Sequence, residues 1–216
     1  MTLPSAALYT LTRPQLELPG FPALTKQATI ASGATLQPGA VLGRVAGAVS
    51  APAALGTNTG NGTFAATPTA AAGIQEGDYK LLIIEPAANG GVFALFAPDG
   101  QLVGKGAVGA AYTGGHLAFT LNDGATDFVA GDGFIITVAR GTLWRLAATA
   151  ATDGSNVPRA ILATPAEAAA ANKDAAIYIA GVFNRAGLTF GAGHSATTVE
   201  AVLEAQNIHL RDVIAA

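Results

Sequence analysis

The glycines at 104, 106 and 109 are the first residues with chemical promise, because Gly104-Lys105-Gly106-Ala107-Val108-Gly109 matches G-x-G-x-x-G after the apolar Leu102-Val103. A dinucleotide site needs a helix directly after such glycines, so that its N-terminal N–H groups meet the pyrophosphate. Here Tyr112-Thr113-Gly114-Gly115 would stop a helix after one turn, so the match predicts no cofactor. Asp123, Asp127 and Asp132 lie within ten positions but depart from the D-x-[DN]-x-[DN]-G calcium loop. Two of them stand in Asn122-Asp123-Gly124 and Gly131-Asp132-Gly133, where aspartate serves a turn. His116, His194 and His209 are isolated, with no H-x-x-x-H spacing to hold a metal. None of Ser5, Ser32, Ser50, Ser155 and Ser195 sits in a G-x-S-x-G elbow, and the absence of cysteine removes thiolate chemistry and disulfides. Asn61-Gly62-Thr63 is a glycosylation sequon, but no basic leader precedes it to deliver it to a glycosyltransferase. The expectation is a protein without catalytic residues, cofactor or metal.

The elements around these residues point the same way. Half of the 216 residues are hydrophobic, yet 49 are alanine, so the core must be built largely from small pieces. With 27 Gly and 11 Pro the chain is too turn-rich to be mostly helical, and a β protein is predicted. Charged residues make up 12%, about half the usual share, so little of the surface repels another protein. Eleven Lys and Arg against 14 Asp and Glu, a net charge of −3, argue against nucleic acid as a partner. No apolar run is long enough for a membrane span, and a soluble protein made in a cytoplasm is expected.

Along the chain, residues 1–26 read as an extended N-terminal arm, held from helix by prolines at 4, 14, 19 and 22. The arm is too apolar for a free linker. It lies either on its own domain or on a partner, and the candidate partner contacts are Tyr9, Leu11, Leu16 and Leu18, which pair by face at period two. Short strands around Pro38-Gly39 follow, then a Gly/Ala/Thr boundary at 47–62. Residues 63–146 are a run of strands with turns at Asn89-Gly90, Pro98-Asp99-Gly100, Asn122-Asp123-Gly124 and Asp132-Gly133. Trp144 and the nine Phe fall at strand positions and read as core. Thr164-Pro165-Ala166-Glu167 has the form of a capping box and predicts a short helix to about Asn172. A strand is predicted over 176–183. A second capping box, Thr197 with Glu200, predicts a helix to about Asn207 with Val199, Val202 and Leu203 on one face, and then a final strand through Ile208 and Leu210.

The order of these motifs resembles the head decoration proteins of tailed bacteriophages related to the lambda decoration protein. One part of the resemblance is split between Thr35 to Val45 and three later stretches: Asp153 to Leu162, Ile179 to Asn184 and Leu203 to Leu210. The other is the middle, from Gly60-Asn61-Gly62-Thr63-Phe64 to Asp132-Gly133-Phe134, which looks like a β module that recurs in longer members. The resemblance implies a mainly β fold with a small α+β part. In it, a discontinuous decoration-protein core (27–48 and 147–216, β-rich with two short helices) carries an inserted β-sandwich-like module (49–146). It also implies a homotrimer that binds the major capsid protein on the outside of an expanded capsid and does no catalysis. A receptor- or glycan-binding module of a phage tail or fibre is the alternative.

Overall fold

The computed structural model describes residues 16–18 and 20–212. The chain forms β1 (Leu24–Ile30), β2 (Ala34–Leu36) and β3 (Val41–Arg44), then β4 (Ala53–Ala54), β5 (Thr63–Phe64) and β6 (Thr69–Ala70). Next come the long hairpin strands β7 (Gly77–Ala87) and β8 (Gly90–Phe96), followed by β9 (Leu102–Ala107), β10 (Ala111–Tyr112), β11 (Leu117–Asn122) and β12 (Gly133–Val138). The last part holds β13 (Leu143–Leu146), β14 (Pro158–Leu162), β15 (Ala166–Ala168), β16 (Lys173–Asn184), a 3-10 turn at Arg185–Gly187, helix α1 (Ala196–Glu204) and β17 (Ile208–Arg211). The fold is mainly β with one short α-helix among the described residues.

The early and late strands close on themselves. In the order β1, β13, β3, β14, β16, each strand bonds to the next, and β16 bonds back to β1, which makes a barrel-like ring of five strands with β17 added along the far half of β16. Ring diameter grows with strand number, so five strands leave a narrow interior. Small side chains fill it: of the twelve buried residues in this cluster, six are alanine (28, 40, 160, 166, 168 and 175), packed with Ile30, Leu42, Leu162, Ile177 and Trp144. Here the alanine richness of the sequence finds its use. Outside the ring, Val199 and Leu203 of α1 cover Val41, Ile161 and Phe183 in a second cluster.

The turn predicted at Pro38-Gly39 is present. Gly39 has φ +92, and a Cβ there would meet the Gly187 carbonyl oxygen at 2.2 Å, so only glycine fits.

The middle of the chain builds two further sheets, one ordered β4, β12, β7, β8, β9 and the other β10, β11, β5 with β6 also on β11. Their facing rings share one aromatic core: Phe64 meets Phe119 and Phe134, and Phe93 meets Tyr112 and Phe119, with centroids 5.1 to 5.6 Å apart. Every buried member of that core lies between Ile74 and Val138, and Ala46, just after β3, packs against it from the ring side. The middle segment leaves and rejoins the ring through paired backbone, with Gly47 N–H bonded to Ala139 O and Ala139 N–H to Ala48 O, both at 2.9 Å.

Three sequence expectations are corrected. The helix predicted over 164–172 is instead strand β15, paired antiparallel with β2. Ala166 and Ala168 point into the core while Glu167 faces out, and the Thr164 hydroxyl accepts the Ala176 N–H at 3.0 Å instead of capping a helix. A partner strand and burial outweigh alanine's helix propensity there. The later helix does form, but its cap is Ser195: the Ser195 hydroxyl faces the Thr198 N–H, and the Thr198 hydroxyl accepts the Ser195 N–H at 2.9 Å. Glu200, freed from capping, reaches Arg185 at 2.6 Å. Finally, Leu143–Leu146, grouped by sequence with the middle segment, is a ring strand between β1 and β3.

Candidate functional site

The residues with chemical promise are placed as packing and turn residues. Gly104 and Gly106 lie on β9, which turns back into β10 with no helix between. A Cβ on Gly106 would sit 2.4 Å from the Phe93 ring, and one on Gly104 would sit 2.8 Å from the Tyr112 hydroxyl. These glycines let aromatic rings lie flat against the strand.

Asp132 is almost wholly buried, and its carboxylate accepts N–H bonds from Thr59 at 2.9 Å, Gly60 at 2.8 Å and Val129 at 3.0 Å. Burial pushes its pKa up, but those three backbone donors outweigh it and hold the carboxyl below its ordinary value. Beside it, Asn58 exchanges two bonds with the Gly133 backbone, so one polar knot fixes the loop 58–62 on the turn before β12. Asp127 accepts the Asn89 N–H at 2.9 Å, again serving a turn. The sequon residue Asn61 accepts the Thr126 N–H at 2.9 Å. The three histidines are apart. His116 Nδ1 faces the Tyr79 hydroxyl at 2.9 Å, and that hydroxyl accepts the Gln75 N–H at 2.7 Å. Burial pushes Tyr79 up to about 12 and His116 down. His194 Nε2 donates to the Asn156 carbonyl, and His209 lies 3.9 Å from Glu204. Among the described residues no three His, Asp or Glu side chains group as a metal site, and no helix is long and apolar enough to cross a membrane.

The candidate contact residues divide. Tyr9 and Leu11 lie outside the described residues. Leu16 and Leu18 flank a bridge from Glu17 to Phe183, with Leu18 N–H bonded to Val182 O at 3.2 Å and Asn184 N–H to Leu16 O at 2.8 Å. Leu16 is half-buried against the cluster under α1. Glu17 also sits by Tyr178, whose hydroxyl is pushed up to about 12 by burial and by that carboxylate. The root of the arm is therefore strapped to β16, while Phe21 and Leu24 just after it stay 57% and 58% exposed.

A second feature had no motif to announce it. Arg44 on β3 grips both carboxylate oxygens of Glu76, which precedes β7, and Gly141 N–H bonds the same carboxylate at 3.1 Å. The pair is mostly buried and joins the ring to the middle sheets. Lys26 and Arg44 both stack on Trp144, at 5.2 and 5.6 Å from its centroid.

A ring of strands strapped by residues 16–18, with a second β unit spliced between β3 and β13, defines a β protein of two joined sheet systems. The family described as bacteriophage lambda head decoration protein D matches residues 21–209, and the chain belongs to that family. Its role is that of a phage head decoration protein, and the family is structural and capsid-associated, not enzymatic. Among curated proteins none matches. Two crystal structures of FlgL from Xanthomonas campestris show a faint likeness. One is 18% identical over 47% of this chain with a TM-score of 0.34, the other 20% over 45% with 0.33. The chain spans 33% and 31% of those two proteins, and at that level the likeness carries no functional argument.

Proposed function

We propose that this protein is a homotrimeric cementing protein that binds the major capsid protein on the outer face of the expanded phage head and stabilises the shell. The family match over residues 21–209, which runs through both the ring and the middle sheets, carries this reading. Low charge and apolar residues left exposed at the root of the arm fit a protein whose work is contact area. Three copies would place three arms on one site, so each contact can be weak while the trimer stays bound. In this reading the protein is made in the host cytoplasm, and the arm ahead of its strapped root, with Tyr9 and Leu11, reaches the capsid, while Leu16 and Leu18 hold the arm's exit point and border that contact.

The test is binding to expanded, undecorated capsids by co-sedimentation, with copy number counted on purified particles. Decoration predicts an abundance near that of the major capsid protein. An abundance tens of times lower, with the protein found on tails, would support a fibre or receptor-binding role instead. Deleting residues 2–15 leaves the strap on β16 in place, so loss of capsid binding at an unchanged melting temperature is expected. Full binding by that truncated protein would refute the docking arm.

A further inference from the structure

Four of the chain's eleven Lys and Arg gather at one place on the ring. Lys26 comes from β1, Arg44 from β3 and Arg159 from β14, while Arg140 lies just ahead of β13. β1, β13, β3 and β14 are consecutive neighbours in the ring. The parallel β1–β13 pairing starts at Thr29 opposite Leu143, and Lys26 and Arg140 each stand three residues ahead of that start. Their mutual field is felt: burial and then Arg140 and Arg44 push Lys26 below its ordinary value, and burial and then Arg44 lower Arg159, with Arg140 adding to it.

Glu76, whose carboxylate acts on Arg159, is already used by Arg44 and the Gly141 N–H. Among the described residues, the side chains of Lys26, Arg140 and Arg159 make no ion pair or hydrogen bond. In a chain of net charge −3, uncompensated positive charge crowded on one spot weakens the fold that carries it, so its use lies in binding. The Trp144 face fixes two of the cations, which lowers the cost of ordering them on a ligand.

We propose that Lys26, Arg140 and Arg159, set around the Arg44–Glu76 pair and the Trp144 ring, form a docking site for an acidic, carboxylate-bearing segment of the capsid shell protein. This rests on the decoration reading above. Phe21 and Leu24, exposed on the chain between the root of the arm and Lys26, add apolar side chains next in sequence to the site. A charged spot with an apolar margin suits a protein segment. Nucleic acid instead calls for cations spread along a run of phosphates, and this cluster is compact with a carboxylate inside it.

The double variant K26Q/R140Q changes two exposed side chains that make no ion pair and leaves the Arg44–Glu76 pair intact. Its affinity for undecorated capsids should fall about tenfold at about 50 mM salt, with the gap closing by about 300 mM, and its melting temperature should fall by no more than about 4 °C, the effect of losing the Lys26–Trp144 stack. Trp144 is the sole tryptophan, so its fluorescence should respond to hexaglutamate in the natural protein and not in the variant. Unchanged capsid affinity and salt dependence in the variant would overturn the docking site and leave the decoration role standing. A melting temperature lowered by more than about 8 °C, a changed oligomeric state, or a stronger Trp144 response to a single-stranded oligonucleotide than to hexaglutamate would also overturn it. These would mark the cations as structural, as a contact between copies, or as a nucleic-acid site. If the natural protein fails to bind capsids, the decoration reading falls, and the hexaglutamate response alone decides whether the site takes carboxylates.

Discussion

Replacing Asp132 with asparagine keeps the shape of a buried side chain and removes its charge and one of its two acceptor oxygens. In the native protein Oδ2 serves Gly60 and Val129 while Oδ1 serves Thr59. The asparagine oxygen can keep the first two as neutral bonds, which leaves its NH2 group facing the Thr59 N–H, donor against donor. Two charge-assisted bonds weakened to neutral ones, plus one buried donor left without a partner, amount to about 3 kcal/mol. For a chain of this size that lowers the melting temperature by about 6 to 12 °C. The sign with pH follows from the lowered pKa of this carboxyl in the fold. Its stabilisation is complete above the unfolded value near ~4 and is lost as pH falls through the lower folded value, so the gap between natural protein and variant should narrow in acid. Thermal unfolding by circular dichroism from neutral to acid pH measures both quantities, and hydrogen exchange at Thr59 and Gly60 shows whether the loop is the first part to open. A melting temperature within about 1 °C of the natural protein at neutral pH would refute the argument.

Two further substitutions probe how the chain is divided. Because Gly47 and Ala139 are bonded backbone to backbone, replacing residues 49–138 with a short Gly-Ser linker should leave a soluble ring with a single cooperative transition. Replacing 50–145 instead removes most of β13, which links β1 to β3, and should abolish folding; an insoluble shorter excision would show that the ring and the middle sheets depend on each other. Gly106→Ala drives a methyl into the Phe93 ring and should cost about 2 kcal/mol in a melting experiment, and an unchanged melting temperature would mean that this glycine has a purpose other than packing.

The sequence by itself determined the class of fold and the run of strands, because alternation and turn residues act locally. Asn89 takes φ 53 at its turn, and the run of strands predicted around the turns at Asn89-Gly90, Pro98-Asp99-Gly100 and Asp132-Gly133 forms as β7, β8, β9 and β12. It also determined the family, since the order of such motifs is a property of the chain. Tertiary structure decided what depends on distant partners. Ala166 to Ala168 reads as helix until β2 is there to pair with it, and Leu143 to Leu146 belongs to the ring only because β1 and β3 lie on either side. Asp132 reads as a turn residue, and its carboxylate does accept the Val129 N–H, but the bonds to Thr59 and Gly60 span more than seventy residues. The cationic group around Trp144 was illegible for the same reason: Lys26, Arg44, Arg140 and Arg159 are scattered through the chain, and only closure of the ring sets their charges side by side.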